Sequence, residues 1–199
     1  MTYYVGSLEE LGSTLSLYDK MKWWNTMIIT LKQIHKAGIV HRDLKPAHFM
    51  RDANKGWNLI DFGLATSYLQ EENEVEEVRK DHIIGSPNYV SFHVHEGNEV
   101  VPRDDFISLV YIFWELLYGS FLSNTDNVVE ETDYKREHIL HPYNQWLKEK
   151  KKWSRLYELQ KSYADCCSET IVGMLTHGQF LKFKDKPNYD HFLFEFSVE

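Results

Sequence analysis

Ile39-Val40-His41-Arg42-Asp43-Leu44-Lys45-Pro46, read together with Leu59-Ile60-Asp61-Phe62-Gly63-Leu64-Ala65, is the part of this chain whose chemistry is most legible. Asp43 and Lys45 sit in a loop that follows a helical pattern. Asp61 comes after a short apolar strand and just before the Phe62-Gly63 pair. Phosphoryl transfer needs such a set: one carboxylate to take the proton of an attacking hydroxyl, a lysine to neutralise the moving phosphoryl group, and a second carboxylate for a divalent metal. Were both aspartates only turn formers or helix caps, Lys45 and Phe62-Gly63 would have no explanation.

Working outward, Trp24, Met27, Leu31 and Ile34 recur at helical spacing and predict a helix over 23–36, with Gly38 as its stop. That helix delivers Ile39 and Val40 as a buried strand start and His41-Arg42-Asp43 as a loop. Phe49-Met50 and Trp57-Asn58-Leu59-Ile60 read as two short strands. The turn-forming Asp52-Ala53-Asn54-Lys55-Gly56 between them makes a hairpin that brings Asp61 beside Asp43.

The 199 residues suffice for one domain with its own core, and the formal charge of −8 argues against general binding to nucleic acid or anionic membranes. No basic-then-apolar leader is visible at the start. The most apolar stretch, 106–118, contains Glu115 and is too short to span a bilayer, so it reads as a buried helix. Adjacent Cys166 and Cys167 would need a strained disulfide, which favours reduced thiols. The expectation is an intracellular, cytoplasmic protein without membrane insertion. Lys148-Glu149-Lys150-Lys151-Lys152 reads as a solvated helix face. His93-Val94-His95-Glu96 carries metal-donor side chains, but Cys166-Cys167 lacks the spaced second pair of a zinc site.

At the catalytic-loop and Asp61 motifs the chain resembles a protein kinase. Ser91-Phe92-His93, Arg103-Asp104-Asp105 with Ser108, and Phe183-Lys184-Asp185-Lys186-Pro187-Asn188-Tyr189 are similar to signatures of the casein kinase 1 branch. The resemblance implies a mainly α fold with a small β-hairpin, that of a kinase C-lobe built around a buried central helix. It implies one domain over 1–199, with a hinge-like segment at 1–14, catalytic loop and metal-binding hairpin at 39–65, activation segment at 66–93 and helical subdomain at 105–199. Asp43 is then the catalytic base and Lys45 the stabiliser of the γ-phosphate. Asp61 is the Mg2+ ligand, and Arg42, Gly63 and Asp105 are supports, with Asp105 hydrogen-bonding the catalytic-loop backbone.

Three departures accompany the resemblance. The chain begins where a kinase's second lobe begins, with no glycine-rich loop or strand lysine to clamp ATP. His48 stands where the family has the asparagine that serves a second Mg2+; it is expected to be a degraded metal ligand or a hydrogen-bonding partner of Asp43 or Asp61. Glu71, Glu72, Glu74, Glu76 and Glu77 make the activation segment acidic, so the family's taste for acidic substrates does not carry over. The leading expectation is therefore a non-catalytic interaction module. In that reading, protein partners cover an apolar face that includes Tyr3, Tyr4 and Met50 within a larger assembly. The alternative is an active serine/threonine kinase using ATP and Mg2+, its N-lobe supplied in trans or by residues outside this sequence.

Overall fold

The computed structural model describes residues 3–68, 80–119, 142–152, 158 and 166–195. In chain order the elements are β1 (Tyr4–Ser7), α1 (Leu8–Leu11), α2 (Leu17–Lys36), β2 (Ile39–Val40), β3 (Phe49–Asp52), β4 (Trp57–Leu59), β5 (Thr66–Ser67), α3 (Phe92–His95), α4 (Pro102–Tyr118), α5 (Pro142–Lys150) and α6 (Cys166–Phe180). Single 3-10 turns occupy Gly12–Thr14, Pro46–His48 and Tyr189–Phe192. Helix dominates, and the strands form two small antiparallel sheets.

α4 is the hub. Pro102 fits the first helical position, where its missing N–H costs nothing, and Asp104 Oδ2 accepts the Val101 N–H at 2.9 Å. Every side chain from Pro102 to Trp114 is buried, as a helix that is apolar over most of its circumference must be. α2 packs on one side of α4 and α6 on another. Trp24 stacks on Phe113 with ring centroids 4.8 Å apart, and Trp23 meets Phe49 edge-on at 5.2 Å, tying both helices to the sheet.

α2 is longer than its apolar spacing predicts, starting at Leu17 rather than at 23. Ser16 caps it, accepting the Asp19 N–H at 3.1 Å, so the first turn needs no apolar stripe. The tail then closes over α2. Trp24 Nε1 donates to the Phe192 carbonyl at 2.7 Å, and Asn25 exchanges two hydrogen bonds with the Phe194 backbone.

The expected hairpin is β3–β4, with Phe49 opposite Leu59 and Arg51 opposite Trp57. Asp52 closes its turn by accepting from the Asn54 and Gly56 amides at 2.9 and 2.8 Å. β1 adds a third strand, pairing antiparallel with β3. β2 pairs with β5, and here one expectation is corrected: Val40 is buried, but Ile39 is 37% exposed because this short strand has a covered face and an open one. Cys167 forms no disulfide among the described residues. The acidic run 71–77 lies outside them.

Candidate active site

The loop after β2 is shaped by a residue far away in sequence. Asp105, in the first turn of α4, accepts the His41 N–H on Oδ2 at 2.7 Å and the Arg42 N–H on Oδ1 at 2.9 Å. His35 Nε2, from the last turn of α2, reaches the same Oδ2 at 2.9 Å. Burial pushes this carboxyl up, but His35 and the two amides outweigh it and hold Asp105 below its ordinary value. His35 is held in turn by the Tyr189 hydroxyl, so the motif at 183–189 reaches the loop through one imidazole.

That grip forces Arg42 into the left-handed region, at φ 69°. Its Nε donates to the Leu64 carbonyl at 2.6 Å, joining the loop to the segment after Asp61. His41 makes a second tie. Its Nε2–H donates to the Ile60 carbonyl at 3.1 Å while Nδ1 accepts the Asp43 N–H at 3.4 Å, and burial lowers its pKa.

Asp43 therefore sits on a loop fixed from three directions. Its Oδ1 accepts the Ser86 hydroxyl at 2.7 Å, and its Oδ2 lies 3.5 Å from Lys45 Nζ. The Asp43 side chain is 13% exposed and that of Lys45 34% exposed, so the pair opens to solvent on the lysine side.

Asp61 follows Ile60, whose N–H is held by the His48 carbonyl at 3.0 Å. It too has a positive φ, 62°, and its carboxylate is 57% exposed with Oδ1 accepting the Gly63 N–H at 3.2 Å. An exposed hard oxygen with one lone-pair side committed to an amide fits Mg2+. His48 lies between the two carboxylates. Its Nδ1–H donates to the Asp43 backbone carbonyl at 2.8 Å, and its Nε2 is 3.3 Å from Asp61 Oδ2. The structure thus brings Asp43, Lys45, His48 and Asp61 into one cluster, with Arg42, Gly63 and Asp105 supporting it.

Residues 3–177 match the family model for the protein kinase domain. The chain belongs to the protein kinase family. It is 29% identical over 171 residues to a probable casein kinase I homologue of Encephalitozoon cuniculi (strain GB-M1), a match covering 82% of this chain and 48% of that relative. The chain spans about half the length of that curated relative. Family membership and casein kinase 1 likeness both agree with the reading of the motifs.

Two residues of this kinase-family site escape sequence reading. Ser86 holds Asp43 from across the chain, and only its place after Gly85 hints at it. Lys151 corrects the reading of 148–152 as a solvated face. It is wholly buried, and its ammonium donates to the Pro87 and Val90 carbonyls at 2.8 and 2.6 Å and to His95 Nε2 at 3.1 Å. Burial drives its pKa well below the ordinary lysine value. Nothing in the sequence separates Lys151 from Lys150 or Lys152. His95 is thereby committed to Lys151, and His93 Nε2 faces the Gln179 carbonyl at 3.2 Å. Among the described residues, no helix is long and apolar enough to cross a membrane.

Proposed function

We propose that this chain carries the catalytic loop of a casein-kinase-1-like serine/threonine protein kinase, which transfers the γ-phosphoryl group of ATP to a protein hydroxyl. The observation that carries this reading is the Asp43 carboxylate, held by Ser86 on one oxygen and facing Lys45 with the other, on a loop whose backbone Asp105 clamps. An arrangement held this way is preorganised: it need not reorganise as the proton moves. Asp43 accepts the proton of the attacking serine or threonine hydroxyl through Oδ2. Lys45 balances negative charge on the transferring group. Asp61 would hold Mg2+, which supplies positive charge to the phosphate oxygens. The test is phosphate transfer from ATP to serine and threonine peptides by natively purified protein. Transfer lost on Asp43→Asn is expected, and transfer that survives it counts against the assignment.

A second reading, the non-catalytic module within a larger assembly, is favoured by the surface around β1. Tyr3 is 79% and Val5 60% exposed. Apolar side chains left open in this way suit a protein partner. Mass spectrometry of the natively purified assembly separates the readings. A stoichiometric partner carrying a glycine-rich loop and strand lysine favours the kinase. Partners lacking both, with no phosphate transfer, favour the module.

A further inference from the structure

Lys151 takes no part in the proposed chemistry, yet its partners adjoin a residue that touches the catalytic carboxylate. Ser86 donates its hydroxyl to Asp43 Oδ1 at 2.7 Å. The chain then turns tightly, the Ser86 carbonyl accepting the Tyr89 N–H at 2.9 Å and the Val90 N–H at 3.1 Å. Those bonds make 86–90 one unit, and the fixed φ of Pro87 stiffens it. Lys151 Nζ holds that unit at both ends, donating to the Pro87 carbonyl at 2.8 Å and the Val90 carbonyl at 2.6 Å. A turn tied in this way cannot shift without carrying Ser86 along.

Lys151 is itself anchored by four helices. Its N–H continues α5 by donating to the Leu147 carbonyl at 3.0 Å, and its carbonyl accepts Gln179 Nε2 of α6 at 3.1 Å. Nζ lies 5.2 Å from the centroid of the Tyr111 ring on α4 and 3.1 Å from His95 Nε2 on α3. A neutral amine has two N–H groups and an ammonium three, so both carbonyls are served in either form. Burying such a group is costly, and an apolar side chain of similar length would fill the same space at less cost. What the amine adds is a fixed place for the turn.

We propose that Lys151 is a positioning residue: it holds the 86–90 turn so that Ser86 stays on Asp43, and α5 thereby governs the catalytic carboxylate without touching it. The inference rests on the reading of Asp43 as the base for phosphate transfer and deepens it.

The test compares natively purified, 13C-labelled wild type with Lys151→Met, Ser86→Ala and the double variant. The carboxyl signal of Asp43, assigned by its loss in Asp43→Asn, senses the Ser86 hydroxyl whether or not phosphate is transferred. Lys151→Met and Ser86→Ala are expected to move that signal the same way, and the double variant no further than Ser86→Ala. Each is expected to slow transfer to a serine peptide by roughly 10–10²-fold in kcat with the KM for ATP unchanged, the double variant being no slower than the worse single. Asn25→Ala, which instead loses the hydrogen bonds between α2 and the tail, should destabilise the fold yet leave signal and rate alone. Should Lys151→Met not fold, Lys151→Gln, whose shorter amide keeps an N–H donor, is expected to give the same shift at smaller amplitude. An Asp43 signal unmoved by the Lys151 substitution, or shifts that add in the double variant, overturns the proposal. So does a peptide rate that Lys151→Met leaves at the wild-type value. The signal moving as expected while the wild type transfers no phosphate upholds the positioning and removes the kinase reading instead.

Discussion

Two oxygens of Asp105 serve three donors: His35 Nε2 and the His41 N–H on one, the Arg42 N–H on the other. An asparagine offers one acceptor and turns the second position into a donor aimed at another donor. Asp105→Asn is therefore expected to cost about 3 kcal/mol, read as a lowered urea midpoint at unchanged slope. Lys151 makes the same point with opposite charge. Lys151→Met leaves the buried Val90 carbonyl and the half-buried Pro87 carbonyl without its ammonium, at about 1–3 kcal/mol each, and recovers part of that by removing a buried cation. A net loss of about 2 kcal/mol is expected in the same denaturation assay. These residues show what a sequence exposes at this scale. The convergence of Asp43, Lys45 and Asp61 on one place was legible because each lies inside a short local motif. Ser86 and Lys151 were not, because each acts on residues far along the chain and looks like its neighbours.

At the scale of elements, Gly85 and Ser86 together press against the loop after β2. Gly85 has φ 96°, and a Cβ there would lie 2.2 Å from the Arg42 carbonyl oxygen. Backbone cannot yield as a side-chain tip can, so Gly85→Ala must push the segment away and take Ser86 off Asp43. Loss of about 3 kcal/mol and of most phosphate transfer is expected, measured by denaturation and peptide assay. α6 offers a matched pair of substitutions. At exposed Gly173 an added Cβ meets nothing within 4 Å, whereas at Gly178 it would sit 2.6 Å from Ile107 Cγ1 on α4. Helix propensity alone favours alanine at both by about 1 kcal/mol. Gly173→Ala is thus expected to raise the melting temperature and Gly178→Ala to lower it. Element identity was readable for α2 and α4 because their apolar spacing is strong. The start of α2 was not, since Ser16 sets it through a cap, and β1 joined the sheet through backbone pairing that carries no side-chain signature.

For the whole molecule, buried histidines make stability depend on pH. Burial, with the charge of Arg103, lowers His93 to about 4; burial, with the charge of Lys151, lowers His95 to about 2. Below the ordinary histidine value of about 6.5 the unfolded chain takes up protons that these native rings refuse, so stability is lost as pH falls. By pH 5 each costs about 2 kcal/mol. Asp104 works the other way: burial raises it to about 6 against the pull of Arg103 and Ser91, so its contribution is present at low pH and lost as pH rises through 6. It returns about 1 kcal/mol between pH 7 and 5, leaving a net loss of about 3 kcal/mol from the three groups. His95→Gln should reduce that loss by about 2 kcal/mol in chemical denaturation at the two pH values. The fold class was readable at this scale because the catalytic loop, the Arg103-Asp104-Asp105 stretch and the 183–189 motif lie far apart in sequence yet meet through His35 and α4. The central proposal, that Asp43 takes the proton of a substrate hydroxyl, is tested most directly by one rate. That rate is γ-phosphate transfer to a serine peptide by the natively purified protein, measured for wild type and Asp43→Asn side by side. The account predicts a fall of about 10²–10⁴-fold with little change in the peptide KM; equal rates for the two proteins, or no transfer by either, would contradict it.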